Sequence, residues 1–165
     1  MRPRAVIENN VIQIKFLNKN GSLSDIPLEI DIIPVIELSI GQDATEGVCH
    51  SRENGKPLAL IDTGADHFVI DSAFAETANF FPEKEKASPA GVNGVVEDSN
   101  VYHLAYKIEI AGGVKVMAAA FVAMPITKFS TRKYQAILGM TFIKKGRLIM
   151  DSKTNQYLFE FNSIN

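Results

Sequence analysis

The stretch "LALIDTGADHFVI", residues 58–70, decides the fold of this chain. Apolar residues run directly into Asp62-Thr63-Gly64, and the chain becomes apolar again from Phe68 onward. An unpaired carboxylate at the end of a buried strand costs free energy, so Asp62 needs either a structural partner or a chemical role. The rest of the sequence must decide between these two possibilities.

Outside this stretch, the apolar residues recur mainly with a period of two, which is typical of β-strands. The segments with this pattern, or with a short apolar run, are 11–17, 26–33, 35–41, 58–61, 101–110, 114–126, 135–139, 147–151 and 156–161. Short helices are expected after Asp71 or Ser72, which suit an N-cap, and over 140–146. Strands do not alternate with long helices, so the sequence predicts an all-β fold, either a small barrel or a sandwich.

Composition excludes several classes of protein. The chain has 165 residues, of which 46% are hydrophobic and 22% charged, as expected for one globular domain. The net charge is −2 with both signs interspersed, which argues against a nucleic-acid partner. Cys49 is the only cysteine, so an intrachain disulfide is excluded. No apolar run approaches the roughly 18 residues of a membrane span, and no signal peptide is evident. We therefore expect a soluble, cytoplasmic protein without a membrane partner.

Three segments together resemble a known family. "ALIDTGAD" (59–66) resembles the active-site sequence of the retropepsin-like aspartic proteases, and "AILG" (136–139) resembles the second motif of that family. Between them, "PAGVNGVVEDSNVYHLAYKIEI" (89–110) looks like the glycine-bearing flap hairpin. The resemblance extends over residues 34–161 in the family's order.

This resemblance implies a small closed barrel with one or two short helices. We expect residues 34–165 to form the protease domain and residues 1–33 to form an N-terminal β-hairpin extension. Within 26–33, the apolar residues Leu28, Ile30 and Ile32 alternate as in a strand of that hairpin. The extension lies outside the resemblance, and an extra sheet edge or a dimer contact is the role we expect for it.

The resemblance also implies roles for individual residues. Asp62 is the expected catalytic residue, and Thr63, Gly64 and Ala65 support it, with Thr63 hydrogen-bonding between two active-site loops. The residues expected to bind substrate are Asp66, His67 and, in the flap, Val92, Asn93 and Gly94. The residues expected to pack behind the active-site loop are Ile137, Leu138 and Gly139.

The chemistry implied by the resemblance needs two aspartates, and the chain has one Asp-Thr-Gly. The expected enzyme is therefore a symmetric homodimer that hydrolyses peptide bonds in peptide or protein substrates, with Asp62 of each copy facing its mate. The terminal strand "YLFEF" (157–161) is the candidate dimer contact. Two close carboxylates share one proton, so that one activates water and the other polarises the scissile carbonyl. No metal or other cofactor is required.

Ala65 matches the retropepsins and differs from the pepsins, whereas Met140-Thr141 departs from many viral members. Ala65 lacks the hydroxyl that pepsins place there, so we expect a weakly acidic optimum rather than one below about pH 3. Met140-Thr141 follows the late glycine where many viral members have Arg, so the ion pair with the aspartate at the position of Asp66 is absent.

Two alternatives stay open at this point, and a third is disfavoured by geometry. Asp-Thr-Gly also suits a structural turn. A correctly built fold can be catalytically silent and serve as a dimerisation or peptide-binding module. Cys49-His50 are adjacent, so on a strand their side chains point to opposite faces and do not form a nucleophile–base pair.

Overall fold

The computed structural model describes residues 8–44, 55–87, 90–91, 94–95 and 98–163. Fourteen strands, three short α-helices and a 3-10 turn at Glu8–Asn10 lie in these ranges. The strands are β1 (Val11–Gln13), β2 (Lys15–Leu17), β3 (Leu23–Ser24), β4 (Pro34–Glu37), β5 (Ser39–Gly41), β6 (Leu58–Ile61), β7 (Phe68–Asp71), β8 (Ala90–Gly91), β9 (Gly94–Val95), β10 (Val101–Ile110), β11 (Gly113–Met124), β12 (Ala136–Leu138), β13 (Gly146–Asp151) and β14 (Gln156–Phe161). The helices are α1 (Ser72–Thr77), α2 (Ile126–Phe129) and α3 (Met140–Ile143).

The strands form a curled nine-stranded sheet in the order β3-β2-β4-β6-β12-β7-β11-β10-β5. A separate three-stranded sheet has the order β1-β14-β13, and β8 pairs with β9 as a hairpin. The all-β class predicted from the period-two pattern is therefore confirmed. No helix in the described ranges is long and apolar enough to cross a membrane.

Aromatic side chains fill the core between the sheets. Tyr106 and Phe121 come from the long β10–β11 hairpin, and Phe142 comes from α3. Phe68, at the start of β7, packs against all three rings, with ring centroids 5.2–6.4 Å apart. On β10 the side chains alternate as the sequence predicts, because Leu104, Tyr106 and Ile108 are buried whereas His103 is exposed.

Two of the three helices follow the predicted signals. Asp71 is the N-cap of α1, and its Oδ2 accepts a hydrogen bond from the Phe74 amide at 3.1 Å. Helix α3 begins directly after Gly139, within the predicted range 140–146. Helix α2 was not expected, since the run 114–126 was predicted as one strand. Strand β11 ends at Met124 because Pro125, which has no amide hydrogen, cannot continue the ladder.

The strand predicted over 26–33 is wrong. Strand β3 ends at Ser24, and residues 25–33, named the outward segment below, form no strand. The predicted single strand over 11–17 is also divided at Ile14 into β1 and β2, which belong to different sheets. The turn predicted at 18–21 is present, and Gly21 has a φ of 85°, which favours glycine.

The role of residues 157–161 as a dimer contact remains a prediction, and their strand is already paired within the chain. β14 is the central strand of its sheet, with Ile12 opposite Phe159 on one side and Leu148 opposite Phe159 on the other. Both edges of β14 are therefore already hydrogen-bonded. The boundary proposed at residue 33/34 remains a prediction; β1 pairs with β14, and β2 pairs with β4 across that boundary.

Candidate active site

Asp62 lies where β6 ends, in the middle of the nine-stranded sheet. β6 is flanked by β4, which is antiparallel to it, and by β12, which is parallel. The apolar residues of β6 are buried or half-buried, and the chain leaves the sheet at Asp62, whose side chain is half-buried. The carboxylate therefore sits at the end of a buried strand with access to solvent, which answers the burial problem that the sequence raised.

Backbone hydrogen bonds fix the loop after Asp62. The Asp62 amide donates to the Leu138 carbonyl at 3.1 Å, so the loop is attached to β12. The Gly64 amide donates to Asp62 Oδ1 at 2.8 Å, and the Ala65 amide donates to the Asp62 carbonyl at 3.2 Å. This turn orients the carboxylate through its own backbone. Thr63 and Gly64 are exposed, and Ala65 is half-buried.

Gly139 is the residue against which the loop packs. A Cβ at this position would lie 2.5 Å from the Ala65 carbonyl oxygen and 2.8 Å from the His67 carbonyl oxygen, closer than real Cβ atoms approach. Gly139 is therefore required by close approach of two backbones. Leu138 is buried and Ile137 is half-buried, and both precede Gly139 on the strand that pairs with β6.

The start of α3 holds the far side of the same loop. The Met140 amide donates to the Ala65 carbonyl at 2.7 Å, and the Thr141 amide donates to the Asp66 carbonyl at 3.0 Å. Thr141 Oγ1 donates to the same carbonyl at 2.6 Å. The side chains of Asp66 and His67 are exposed, which leaves both available to a ligand. Thr141 is a supporting residue that the sequence analysis did not identify.

Tyr134 is a second residue that the sequence analysis missed. It precedes β12, and its side chain is buried. Burial raises the pKa of the Tyr134 hydroxyl and the negative charge of Asp62 raises it further, whereas a hydrogen bond with Ser130 lowers it. The phenol therefore lies within electrostatic reach of Asp62. Its only signal in the sequence is an aromatic residue two positions before "AILG".

The flap residues are described only in part. Gly94 begins β9 and is opposite Gly91 of β8, and an isolated bridge between Ala87 and Ser99 extends this hairpin toward β10. Val92 and Asn93 lie outside the described residues. The hairpin is thus present at the predicted place in the chain, and its role toward a substrate remains a prediction.

Comparison with known proteins agrees with this architecture. Residues 52–145, more than half of the chain, match the family described as gag-polyprotein putative aspartyl protease. No curated protein matches the sequence significantly.

Two solved structures resemble the fold. EIAV protease, complexed with the inhibitor HBY-793, has a TM-score of 0.50 and 18% identity; the match covers 76% of this chain and all of that one. A retropepsin-like aspartic protease from Rickettsia conorii has a TM-score of 0.47 and 14% identity; the match covers 93% of this chain and 92% of that one. On the family match, this chain belongs to the gag-polyprotein aspartyl protease family, and its fold is that of the retropepsin-like proteases.

Proposed function

We propose that this protein is an aspartic endopeptidase that is active as a homodimer, with Asp62 of each copy forming the catalytic pair. The observation that carries the proposal is the position of the Asp62 carboxylate. It lies at the solvent-accessible end of a buried strand, with Oδ1 held 2.8 Å from the Gly64 amide. A purely structural turn does not require the additional close packing of Gly139 behind it.

The chemistry follows from two carboxylates that share one proton. The ionised Asp62 accepts a proton from a water molecule while the water oxygen bonds to the carbonyl carbon of the scissile peptide. The protonated Asp62 of the other copy donates its proton to the carbonyl oxygen. Collapse of the tetrahedral intermediate then breaks the C–N bond, and a carboxyl group delivers a proton to the leaving nitrogen. The two Asp62 carboxyl groups transfer the protons, and water supplies the oxygen that is added to the peptide carbonyl carbon.

A second copy is needed because one chain supplies half of this site. The sequence contains one Asp-Thr-Gly, at residues 62–64. The exposed position of Thr63 next to Asp62 suits a hydrogen bond to the matching loop of a second copy. We therefore expect the specific activity to fall on dilution, as the dimer dissociates. Undiminished specific activity at the lowest assayable concentration would contradict the shared site.

Substrate binding is assigned to the surfaces on either side of Asp62. Asp66 and His67 are exposed beside the catalytic loop and are proposed to contact the substrate backbone and one side chain. The β8–β9 hairpin is proposed to cover the bound peptide, and Val92, Asn93 and Gly94 are proposed to contact it.

The decisive experiment compares wild type with Asp62→Asn, which keeps the size of the side chain and removes its charge. A diverse peptide pool is incubated at pH 3–8 and the cuts are identified by mass spectrometry. Glu76→Gln serves as the control because Glu76 is an exposed carboxylate on α1. We expect cuts with wild type and Glu76→Gln, and at least a 1,000-fold loss of rate with Asp62→Asn.

The pH profile provides a further check. Because Ala65 offers no side-chain hydroxyl to the ionised carboxylate, the optimum is expected in the weakly acidic range. A maximum below about pH 3 contradicts this part of the proposal. No cleavage by a folded wild-type dimer at any pH would instead indicate a peptide-binding module.

A further inference from the structure

The outward segment, residues 25–33, exposes its apolar side chains to solvent and turns its carboxylates toward the protein. Its large apolar side chains are exposed, at 40% for Ile26, 67% for Leu28, 99% for Ile30 and 48% for Ile32. Alternating apolar residues normally face a core, and a contiguous set that faces solvent marks an interaction surface. The segment therefore requires an explanation that isolated exposed residues do not.

The charged side chains of the segment hold this orientation. Glu29 accepts a hydrogen bond from the Lys19 amide at 3.0 Å and pairs with Arg132 at 3.2 Å, where the Arg132 side chain is 6% exposed. Asp25 is paired with Lys15, and Asp31 lies 3.5 Å from the Lys19 ammonium. Each carboxylate of the segment thus has a cationic partner on the body of the protein, and the apolar side chains are left on the outside.

The register of the sheet places this segment at the end that carries Asp62. Val35 of β4 is opposite Leu60 of β6, so continuing the antiparallel register by two residues places Ile33 level with Asp62. The Leu17 amide donates to the Ile33 carbonyl at 3.0 Å, which holds this end of the segment on the sheet. The exposed apolar side chains therefore come just before Ile33, which lies two residues beyond the Val35–Leu60 pair that ends the ladder of β4 and β6.

Another exposed apolar side chain lies at the same end of the sheet. Leu138 of β12 is level with Ile61, so Met140 follows just beyond the level of Asp62. Met140 is 41% exposed, although its amide is hydrogen-bonded to the Ala65 carbonyl of the catalytic loop. Apolar surface thus flanks the Asp62 loop on the β4 side and on the β12 side.

We propose that the outward segment and Met140 form the contact surface for a second copy of this chain. The inference rests on the proposed function, since a shared Asp62 pair places a two-fold axis beside Asp62 and turns this end of the sheet toward the other copy. The candidate contact predicted from the sequence, β14, is hydrogen-bonded on both edges to strands of its own chain. An isologous interface can place the outward segment of each copy against apolar surface of the other, and it leaves the ion pairs of the segment intact.

The experiment is sedimentation velocity over a concentration series, with the double variant Leu28→Ser/Ile30→Ser. These side chains are largely exposed, so the monomer is expected to fold normally, and circular dichroism verifies this. Removing two apolar contacts is expected to raise the dimer dissociation constant about 30-fold. Phe81→Ser is the matched control, because Phe81 is 76% exposed and follows α1, which begins at the opposite end of β7 from the Asp62 loop.

Each outcome is informative. A weakened dimer in the double variant, with Phe81→Ser unchanged, supports the proposal. An unchanged dimer overturns it; if kcat/KM for peptides with apolar flanking residues falls at the same time, the segment binds substrate instead. A wild-type protein that stays monomeric while it cleaves peptides removes the shared Asp62 pair and this interface together. Cleavage that depends on a dimer unaffected by the double variant leaves the proposed function standing and rejects this interface alone.

Discussion

The Asp62 loop and the outward segment begin from similar sequence patterns and end in opposite arrangements. "LALID" (58–62) and "IPLEIDII" (26–33) both combine apolar residues with carboxylates. In the first, β4 and β12 pair with both sides of β6, so the apolar residues are enclosed and only the terminal Asp62 reaches solvent. In the second, Glu29 pairs with Arg132 and Asp31 with Lys19, and the apolar residues face outward. The period of a pattern therefore predicts alternation, whereas partners distant in sequence decide which face is buried.

The largest loss of stability and activity is expected from Gly139→Ala, which disrupts the packing behind the Asp62 loop. The new Cβ would meet two backbone carbonyl oxygens, at 2.5 and 2.8 Å, and the backbone must move. We expect a loss of about 3 kcal/mol in the free energy of unfolding, measured by urea denaturation, together with loss of peptide cleavage. A loss below about 1 kcal/mol would contradict the close packing.

Gly146→Ala is the control for that variant. Its Cβ would lie 2.1 Å from the Glu160 carbonyl oxygen, in the three-stranded sheet. It is expected to destabilise the protein to a similar extent. If cleavage is compared at a temperature where both variants are folded, only Gly139→Ala should have lost it.

The next effect concerns the ion pair that orients the outward segment. Glu29→Ala leaves the buried Arg132 guanidinium without its carboxylate, and the Arg132 Nε already has no hydrogen-bond partner among the described residues. We expect a loss of about 2 kcal/mol in thermal or urea unfolding. Asp31→Ala removes an exposed pair with Lys19 and should cost less than about 0.5 kcal/mol. Equal effects of the two variants would show that burial of Arg132 does not matter.

Tyr106→Phe is expected to stabilise the protein. The Tyr106 hydroxyl is buried and has no hydrogen-bond partner among the described residues, and the Tyr106 ring packs against Phe68. Removing it should raise the free energy of unfolding by about 1 kcal/mol. Tyr134→Phe, which loses a hydrogen bond with Ser130, should lower it by about 1 kcal/mol. A loss of stability in Tyr106→Phe would indicate a partner for that hydroxyl.

Tyr106→Phe is also expected to change how stability depends on pH above neutrality. Burial raises the pKa of Tyr106 above its ordinary value, so the folded state holds this proton more tightly than the unfolded state. This group therefore adds no pH dependence below the unfolded pKa of about 10, and it lowers the free energy of unfolding as the pH rises above that value. Stability measured from pH 8 to 11 should therefore fall less steeply for Tyr106→Phe than for wild type.

The smallest effect is expected from Ile30→Ala, with the buried Ile36→Ala as its comparison. Ile30 is 99% exposed and Ile36 is fully buried on β4. Ile30→Ala is expected to change the monomer's free energy of unfolding by less than about 0.5 kcal/mol, whereas Ile36→Ala should cost about 3 kcal/mol. A cost above about 1 kcal/mol for Ile30→Ala, measured below the concentration of dimerisation, would mean that the segment is packed inward after all.

The sequence alone was sufficient to predict features that depend on neighbouring or alternating residues. The Asp-Thr-Gly turn, the Asp71 cap and the β10–β11 hairpin each depend on residues that are close in sequence or strictly alternating. The outward segment could not be predicted this way, because its orientation depends on Arg132, 103 residues from Glu29. Tyr134 was missed for a related reason, since its proximity to Asp62 arises only when β12 is placed between β6 and β7. The central place of β14 likewise depends on β1 at the other end of the chain.

That last arrangement has a consequence for synthesis of the protein on the ribosome. Ile12 is synthesised 147 residues before its ladder partner Phe159. The same late strand also completes the ladder of β13 and buries Phe159 against Phe142. Contacts this distant in sequence are slow to form, and apolar segments that wait for them are prone to aggregate. The three-stranded sheet therefore cannot close until β14 has left the ribosome, so β1 and β13 wait without their central strand.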